Sequence, residues 1–162
     1  MIIIDPSARV SSLADIEDSV RGTRIVVGAR VTIDAFVKIK PAGGWGDVVI
    51  GAGTTINSGC VLYSGNGIAI GENVAVAANC TFAPVNHAYS DRNVPIVSQG
   101  FGPSKGGLTI GDDVWIGANC VFLDGAIVGQ GCVIAASSVV RGTLEPYGIY
   151  GGNPLRLLGQ RT

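Results

Sequence analysis

Large aliphatic side chains recur every six residues along most of this chain. The longest unbroken run of this pattern covers residues 110–140, and shorter runs cover residues 4–16, 27–39, 50–62 and 70–82. A small or β-branched residue follows four positions after nearly every one of these anchors. A period of six fits neither an α-helix, whose period is about 3.6, nor an alternating strand, whose period is about 2. The anchors of the long run are Ile110, Ile116, Phe122, Val128, Ile134 and Val140.

A three-sided solenoid accounts for this spacing. Each hexapeptide would form one short strand and one corner, so that three hexapeptides make a coil of about 18 residues. The large residue would fill the interior, the small residue would point inward where space is tight, and glycine would serve the corners. We therefore predict an all-β fold, a triangular parallel β-helix over residues 1–145, followed by a C-terminal tail or cap over 146–162.

Four interruptions of the repeat stand out, at residues 21–24, 41–46, 65–67 and 84–107. The last is by far the longest, and the repeat resumes after it. A loop of this length within a regular solenoid is usually functional. It contains His87, the only histidine of the chain.

Composition narrows the possible partners. The chain has 162 residues, which suits one domain, and a formal net charge of −1 without a basic run, which argues against a nucleic-acid or anionic-membrane surface. No apolar stretch approaches the roughly 20 residues of a membrane span, and the N-terminus does not read as a signal peptide, so we expect a cytoplasmic protein without membrane insertion. All four cysteines fall on the small inward position, so we expect reduced core thiols rather than zinc ligands. They are Cys60, Cys80, Cys120 and Cys132.

Histidine is the side chain best suited to take a proton near neutral pH. On composition alone, a lone histidine is more often a solvated loop residue. The place of His87 in the one long loop makes a role as a general base an equal alternative.

Three segments carry a family resemblance: residues 110–119, 148–156 and 86–91. The first two resemble hexapeptide-repeat acyltransferases, in particular the galactoside, maltose and xenobiotic acetyltransferases. Residues 86–91 are especially similar to the loop of surface-polysaccharide O-acetyltransferases. The resemblance implies a left-handed β-helix, acetyl-CoA as cosubstrate, no required metal, and a homotrimer whose active sites lie between neighbouring chains.

The resemblance also implies roles for particular residues. His87 would be the catalytic base, taking the proton from an acceptor hydroxyl that attacks the thioester of acetyl-CoA. Residues matching acceptor contacts are Asn57, Asn86 and Tyr89. Residues matching or suited to cofactor contacts are Trp115, Ala118, Ala136, Arg141, Arg156 and Lys105. Gly65 and Gly142 depart from the galactoside enzymes, which argues against galactoside or maltose as the acceptor.

Alternative functions remain open at this point. An N-acetyltransferase acting on an amino sugar in nucleotide-linked form would use the same fold and the same base. A non-enzymatic solenoid, such as a binding or scaffold protein, would leave the long histidine loop without a purpose. A zinc enzyme would require several histidines, and this chain has one.

Overall fold

Three short strands form each turn of a solenoid, which a computed structural model describes over residues 1–162. The first two coils comprise β1 (Ile2–Ile4), β2 (Arg9–Val10), β3 (Asp15–Ile16), β4 (Ile25–Val27), β5 (Thr32–Ile33) and β6 (Lys38–Lys40). The next two comprise β7 (Val48–Ile50), β8 (Thr55–Ile56), β9 (Val61–Tyr63), β10 (Ile68–Ile70), β11 (Ala75–Val76) and β12 (Thr81–Ala83). After α1 (Ile96–Gln99), the solenoid continues with β13 (Leu108–Ile110), β14 (Trp115–Ile116), β15 (Val121–Leu123), β16 (Ile127–Val128), β17 (Val133–Ile134) and β18 (Val139–Val140). It closes with β19 (Thr143–Leu144), β20 (Gly148–Gly151) and β21 (Arg156–Gln160).

Equivalent strands of successive coils stack into three sheets, one for each side of the prism. The first strands form a sheet of seven, the second strands, with β21, a sheet of eight, and the third strands a sheet of six. All pairs are parallel except β20 with β21, which are antiparallel. The predicted left-handed parallel β-helix is confirmed. Its one helix is four residues long, and no helix is long and apolar enough to cross a membrane.

The six-residue anchors fill the interior of the prism. From the second coil onward they belong to one cluster of 30 buried residues, in which the rings of Phe82 and Phe122 stack at a centroid distance of 4.8 Å on successive coils. The first coil is less covered, since Ile4 is 40% exposed at the open end of the solenoid. Val20 stands four positions after the anchor Ile16, where the repeat predicts an inward side chain, yet it is 99% exposed because the chain turns outward there into the first interruption.

Glycine follows the anchor at the corner between the first and second sheets. A β-carbon on Gly51 would lie 2.5 Å from the backbone of Gly71 in the next coil, and one on Gly71 would lie 2.8 Å from the backbone of Gly111. Neither Gly51 nor Gly71 has a positive φ. Close approach of stacked backbones, rather than an unusual dihedral angle, therefore requires glycine at this corner.

All four interruptions lie on one edge of the prism, where the chain passes from the third sheet to the first sheet of the next coil. We call this corner the loop edge. The segment between β12 and β13 covers residues 84–107.

The parallel stacking of strands continues beyond residue 145, where the six-residue pattern of the sequence ended, because β20 pairs with β17 in the second sheet.

Each of the four thiols donates a hydrogen bond to a carbonyl of the following coil, as Cys80 does to Gly117 at 3.2 Å. All four cysteines are free and buried, and burial raises the pKa of the Cys132 thiol. Because burial keeps a bulky reagent away from the sulfur atoms, we expect no thiol to react with an aromatic disulfide reagent in the native protein. Four thiols per chain should react in denaturant. Rapid labelling of the folded protein would contradict this packing.

Candidate active site

The long loop leaves the loop edge after β12 and folds back on itself before β13. Its two arms form a short antiparallel contact in which His87 pairs with Phe101. The Ala88 amide donates to the Gly100 carbonyl at 3.0 Å, and the Gly102 amide donates to the Asn86 carbonyl at 2.7 Å. The backbone on both sides of the histidine is therefore fixed by main-chain hydrogen bonds.

A groove of about 430 Å³ opens between these arms. It brings together four residues that the sequence singled out separately, namely Asn86, His87, Tyr89 and Lys105. The complete lining is Asn86, His87, Ala88, Tyr89, Ser90, Gly102, Pro103 and Lys105. Apart from the imidazole, this lining offers hydroxyl, amide and ammonium groups, which are suited to a polar ligand.

The imidazole of His87 is exposed and lies against an aromatic ring. The centroids of the His87 and Phe101 rings are 4.9 Å apart, and their planes are inclined by 42°. Neither ring nitrogen makes a hydrogen bond within the chain. Both nitrogens are thus available, one to accept a proton and the other to be held by a group from outside this chain. Phe101 carried no sequence signal, because only the folded loop brings it to the histidine.

A buried carboxylate holds the returning end of the loop. Asp124, at the turn after β15, is 5% exposed. Its Oδ2 accepts hydrogen bonds from the Lys105 amide at 2.8 Å and from Nδ2 of Asn66 at 3.1 Å, and its Oδ1 accepts from the Gly107 amide at 2.9 Å. The sequence analysis missed this residue, although an Asp-Gly pair is a known turn signal.

The remaining acceptor and cofactor candidates are divided between two sides of the prism. Trp115, on β14 of the second sheet, is 56% exposed. Ala118 and Ala136 occupy the same corner on successive coils, and the Ser137 amide donates to the Ala118 carbonyl at 2.8 Å. Asn57 shares this corner two coils earlier, where its Nδ2 donates to the Val76 carbonyl at 2.8 Å. That amide nitrogen is therefore engaged in the corner itself.

The two arginine candidates, Arg141 and Arg156, also lie on different sides of the prism. Arg156 begins β21 at the end of the second sheet, and Arg141 lies on the loop edge after β18. In a triangular prism, the second sheet faces away from the edge between the third and first sheets. No residue of the second sheet lines the groove. A single chain therefore does not bring His87 together with Trp115, Ala118 or Ala136.

Parts of this chain are similar in sequence to known transferases. The family model described as bacterial transferase hexapeptide (six repeats) matches residues 107–142. The predicted resemblance to hexapeptide-repeat acyltransferases is confirmed. A probable acetyltransferase of Mycobacterium tuberculosis, Rv3034c, is 30% identical over 94 residues, or 58% of this chain. The matching part of the present chain spans only 31% of the length of that curated relative.

Solved structures of acyltransferases superpose over most of the chain. The acetyltransferase VCA0836 of Vibrio cholerae, solved with acetyl coenzyme A, is 28% identical with a TM-score of 0.72, over 84% of this chain and 70% of its own. A maltose O-acetyltransferase of Clostridium difficile is 25% identical with a TM-score of 0.71, over 85% and 70%. AntD of Bacillus cereus, an N-acyltransferase solved with dTDP and 3-hydroxybutyryl-CoA, is 23% identical with a TM-score of 0.79, over 97% and 81%. At that identity AntD supports the fold alone.

No group of three or more histidine, cysteine or acidic side chains is placed to hold a metal ion. The chemistry available at the groove is that of one imidazole and its polar neighbours. Acyl transfer from an activated thioester requires a base and two positioned substrates, and this arrangement fits those requirements.

Proposed function

We propose that this protein is an acetyl-CoA-dependent O-acetyltransferase that modifies a hydroxyl of a sugar or polysaccharide precursor in the cytoplasm. The observation that carries the proposal is the position of the only histidine, exposed in a polar groove on the one long loop of a hexapeptide-repeat solenoid. The similarity to VCA0836, solved with acetyl coenzyme A, supports the donor. The similarity to a maltose O-acetyltransferase supports a saccharide hydroxyl as the acceptor.

The reaction would proceed by direct transfer. The acceptor oxygen attacks the thioester carbonyl carbon while a ring nitrogen of His87, within about 3 Å, takes the hydroxyl proton. The tetrahedral oxyanion collapses, the carbon–sulfur bond breaks, and the imidazolium returns its proton to the sulfur as CoA leaves. Asn86 and Tyr89 would hold the acceptor in the groove. Base catalysis of this kind contributes about 10²- to 10⁴-fold.

We further propose a homotrimer in which two chains complete each site. His87 and Lys105 would come from one chain, and the surface of Trp115, Ala118 and Ala136 from its neighbour. The separation of these groups on one prism supports this arrangement, as do the ring nitrogens of His87 that find no partner within the chain. Small side chains at the neighbour's corner would leave room for the cofactor's extended arm.

Arginine side chains would bind the cofactor phosphates in this assembly. Arg141 lies on the loop edge and Arg156 on the second sheet, so they would approach the cleft from opposite chains. The planar guanidinium group matches phosphate geometry through paired hydrogen bonds. Asn57 would contact the acceptor through its carboxamide oxygen or its second N–H, since one N–H already donates to the Val76 carbonyl.

N-acetylation of an amino sugar carried on a nucleotide is the second candidate. The polar lining with its single imidazole would serve this reaction as well, because it does not distinguish an amine from a hydroxyl. The attacking atom would then be an amine nitrogen, and His87 would take its proton in the same way.

The experiment is a transfer assay with labelled acetyl-CoA and a panel of oligosaccharides, sugar nucleotides and amino-sugar nucleotides. We expect CoA release together with a labelled saccharide whose acetyl group is removed by mild alkali, as an ester is. A product stable to mild alkali would establish the N-acetyl alternative. Absence of transfer to every acceptor would overturn both.

A further inference from the structure

The groove beside His87 has an unbalanced charge. Of its eight lining residues, Lys105 alone carries a permanent charge, and none is acidic. The other polar groups of the lining belong to Asn86, Tyr89 and Ser90, each of which can donate a hydrogen bond. The groove is therefore built to favour a ligand with negative charge or several acceptor atoms.

The ammonium group of Lys105 has no acidic partner. Four of the eleven lysines and arginines form ion pairs, whereas no carboxylate lies within 4.0 Å of Nζ of Lys105 or of the guanidinium groups of six arginines. Among these seven unpaired cations, Lys105 alone lines the groove. A cation left unpaired in a groove that offers no acid is available to a ligand.

The backbone of Lys105 is nevertheless held firmly. Its amide donates to the buried carboxylate of Asp124 at 2.8 Å. Its β-carbon packs closely on the next turn, because a β-carbon added to Gly125 would lie 2.9 Å from it. The charge thus projects from a fixed point at the root of the loop rather than from a free surface segment.

We propose that Lys105 binds an anionic group, a carboxylate or a phosphate, of a molecule held in the His87 groove, and that the acceptor saccharide carries this group. The inference rests on the proposed acetyl transfer and narrows its substrate class to acidic or phosphorylated sugars. Charge-assisted hydrogen bonds are about twice as strong as neutral ones, so one such contact discriminates well between charged and neutral acceptors. The phosphates of CoA offer the same chemistry and are the second source to be tested.

The test compares Lys105→Met and Lys105→Arg with the wild-type protein. Each is assayed with an acidic oligosaccharide and its carboxyl-reduced counterpart, using acetyl-CoA or acetyl-3′-dephospho-CoA. We expect Lys105→Met to raise KM for the acidic acceptor by about tenfold with little change in kcat. KM for the reduced acceptor should not change, and Lys105→Arg should retain most of the preference. Arg21→Met, on the same edge three coils away, removes the same charge and should have no effect.

Two outcomes would overturn the acceptor assignment. If Lys105→Met raises KM for the donor, the anion is a phosphate of the cofactor: the 3′-phosphate if KM for acetyl-3′-dephospho-CoA is unchanged, and the diphosphate if KM rises for both donors. If KM is unchanged for every pair, Lys105 binds no anion. Calorimetric titration of the acidic oligosaccharide without acetyl-CoA separates this inference from the proposed reaction. Binding that is lost in Lys105→Met supports the anion site even where no acetyl group is transferred, and binding that is equal in both proteins refutes it.

Discussion

Replacement of His87 by alanine is expected to lower kcat by about 100-fold or more, because the acceptor hydroxyl loses its proton acceptor. The side chain is exposed and forms no hydrogen bond within the chain, and its packing is limited to the ring of Phe101. The melting temperature should therefore stay close to that of the wild-type protein. Steady-state kinetics and a thermal melt on the same preparation measure both effects.

His87→Gln serves as the matched variant, since it retains a polar side chain of similar reach without a basic ring nitrogen. We expect it to be as slow as His87→Ala. Turnover near the wild-type rate in either variant would mean that the imidazole is not the base. A large drop in melting temperature would mean instead that the ring supports the loop.

Asp124→Ala is expected to be the most damaging change outside the groove. It leaves the Lys105 and Gly107 amides without their buried acceptor. A buried donor without a partner costs about 1–3 kcal/mol, so we expect the free energy of unfolding to fall by about 3 kcal/mol. The loop root should also loosen, which would move Lys105 relative to His87 and lower kcat/KM by about tenfold or more.

Asp34→Ala is the control for this prediction. Asp34 also accepts two short hydrogen bonds at a corner, from the Ser58 hydroxyl at 2.7 Å and the Ala35 amide at 2.8 Å, but it lies in the second coil. It should leave kcat/KM unchanged. Urea unfolding measures the change in the free energy of unfolding for both variants, and transfer kinetics measure the change in kcat/KM. Unchanged stability and activity in Asp124→Ala would show that the carboxylate does not hold the loop.

The architecture could be predicted from the sequence because the six-residue period reports directly on the interior of the prism. Ile116 and Cys120, for example, are both fully buried, as their places in the repeat required. The same period located the loop that carries His87, since a segment without the six-residue pattern lies outside the three sheets. A repeat of this kind encodes contacts between neighbouring coils at each position along the chain.

The site was less predictable, because its contacts do not follow the repeat. Asp124 reaches Lys105 across a turn, and Phe101 meets His87 only after the loop folds back. Val20 fitted the spacing yet lies outside, since the interruption after it changes the direction of the chain. The assignment of Asn57 to an acceptor contact stays a prediction, to which the structure adds that Nδ2 of Asn57 donates to the Val76 carbonyl of the next coil.

Insertions gather on the loop edge for a physical reason. The other two corners stack tightly from coil to coil, as the close approach of Gly51 to Gly71 shows, and extra residues there would separate the backbones. The third corner also stacks closely in places, since a β-carbon on Gly46 would overlap the backbone of Gly67, but its longer segments extend outward while the strands on both sides stay paired. Four interruptions therefore share one edge, and a functional loop could lengthen there while the prism kept its core.

The account's central claim is that His87 of one chain acts on substrates held against the second sheet of another. Mixing two inactive variants tests it most directly: His87→Ala, which lacks the base, and Ala118→Trp, which blocks the neighbour's corner. Each alone should be nearly inactive and normally folded. If the chains are refolded together in equal amounts, about a quarter of the interfaces should combine an intact histidine with an intact corner, restoring about a quarter of wild-type activity. A mixture as inactive as its components would contradict the shared site.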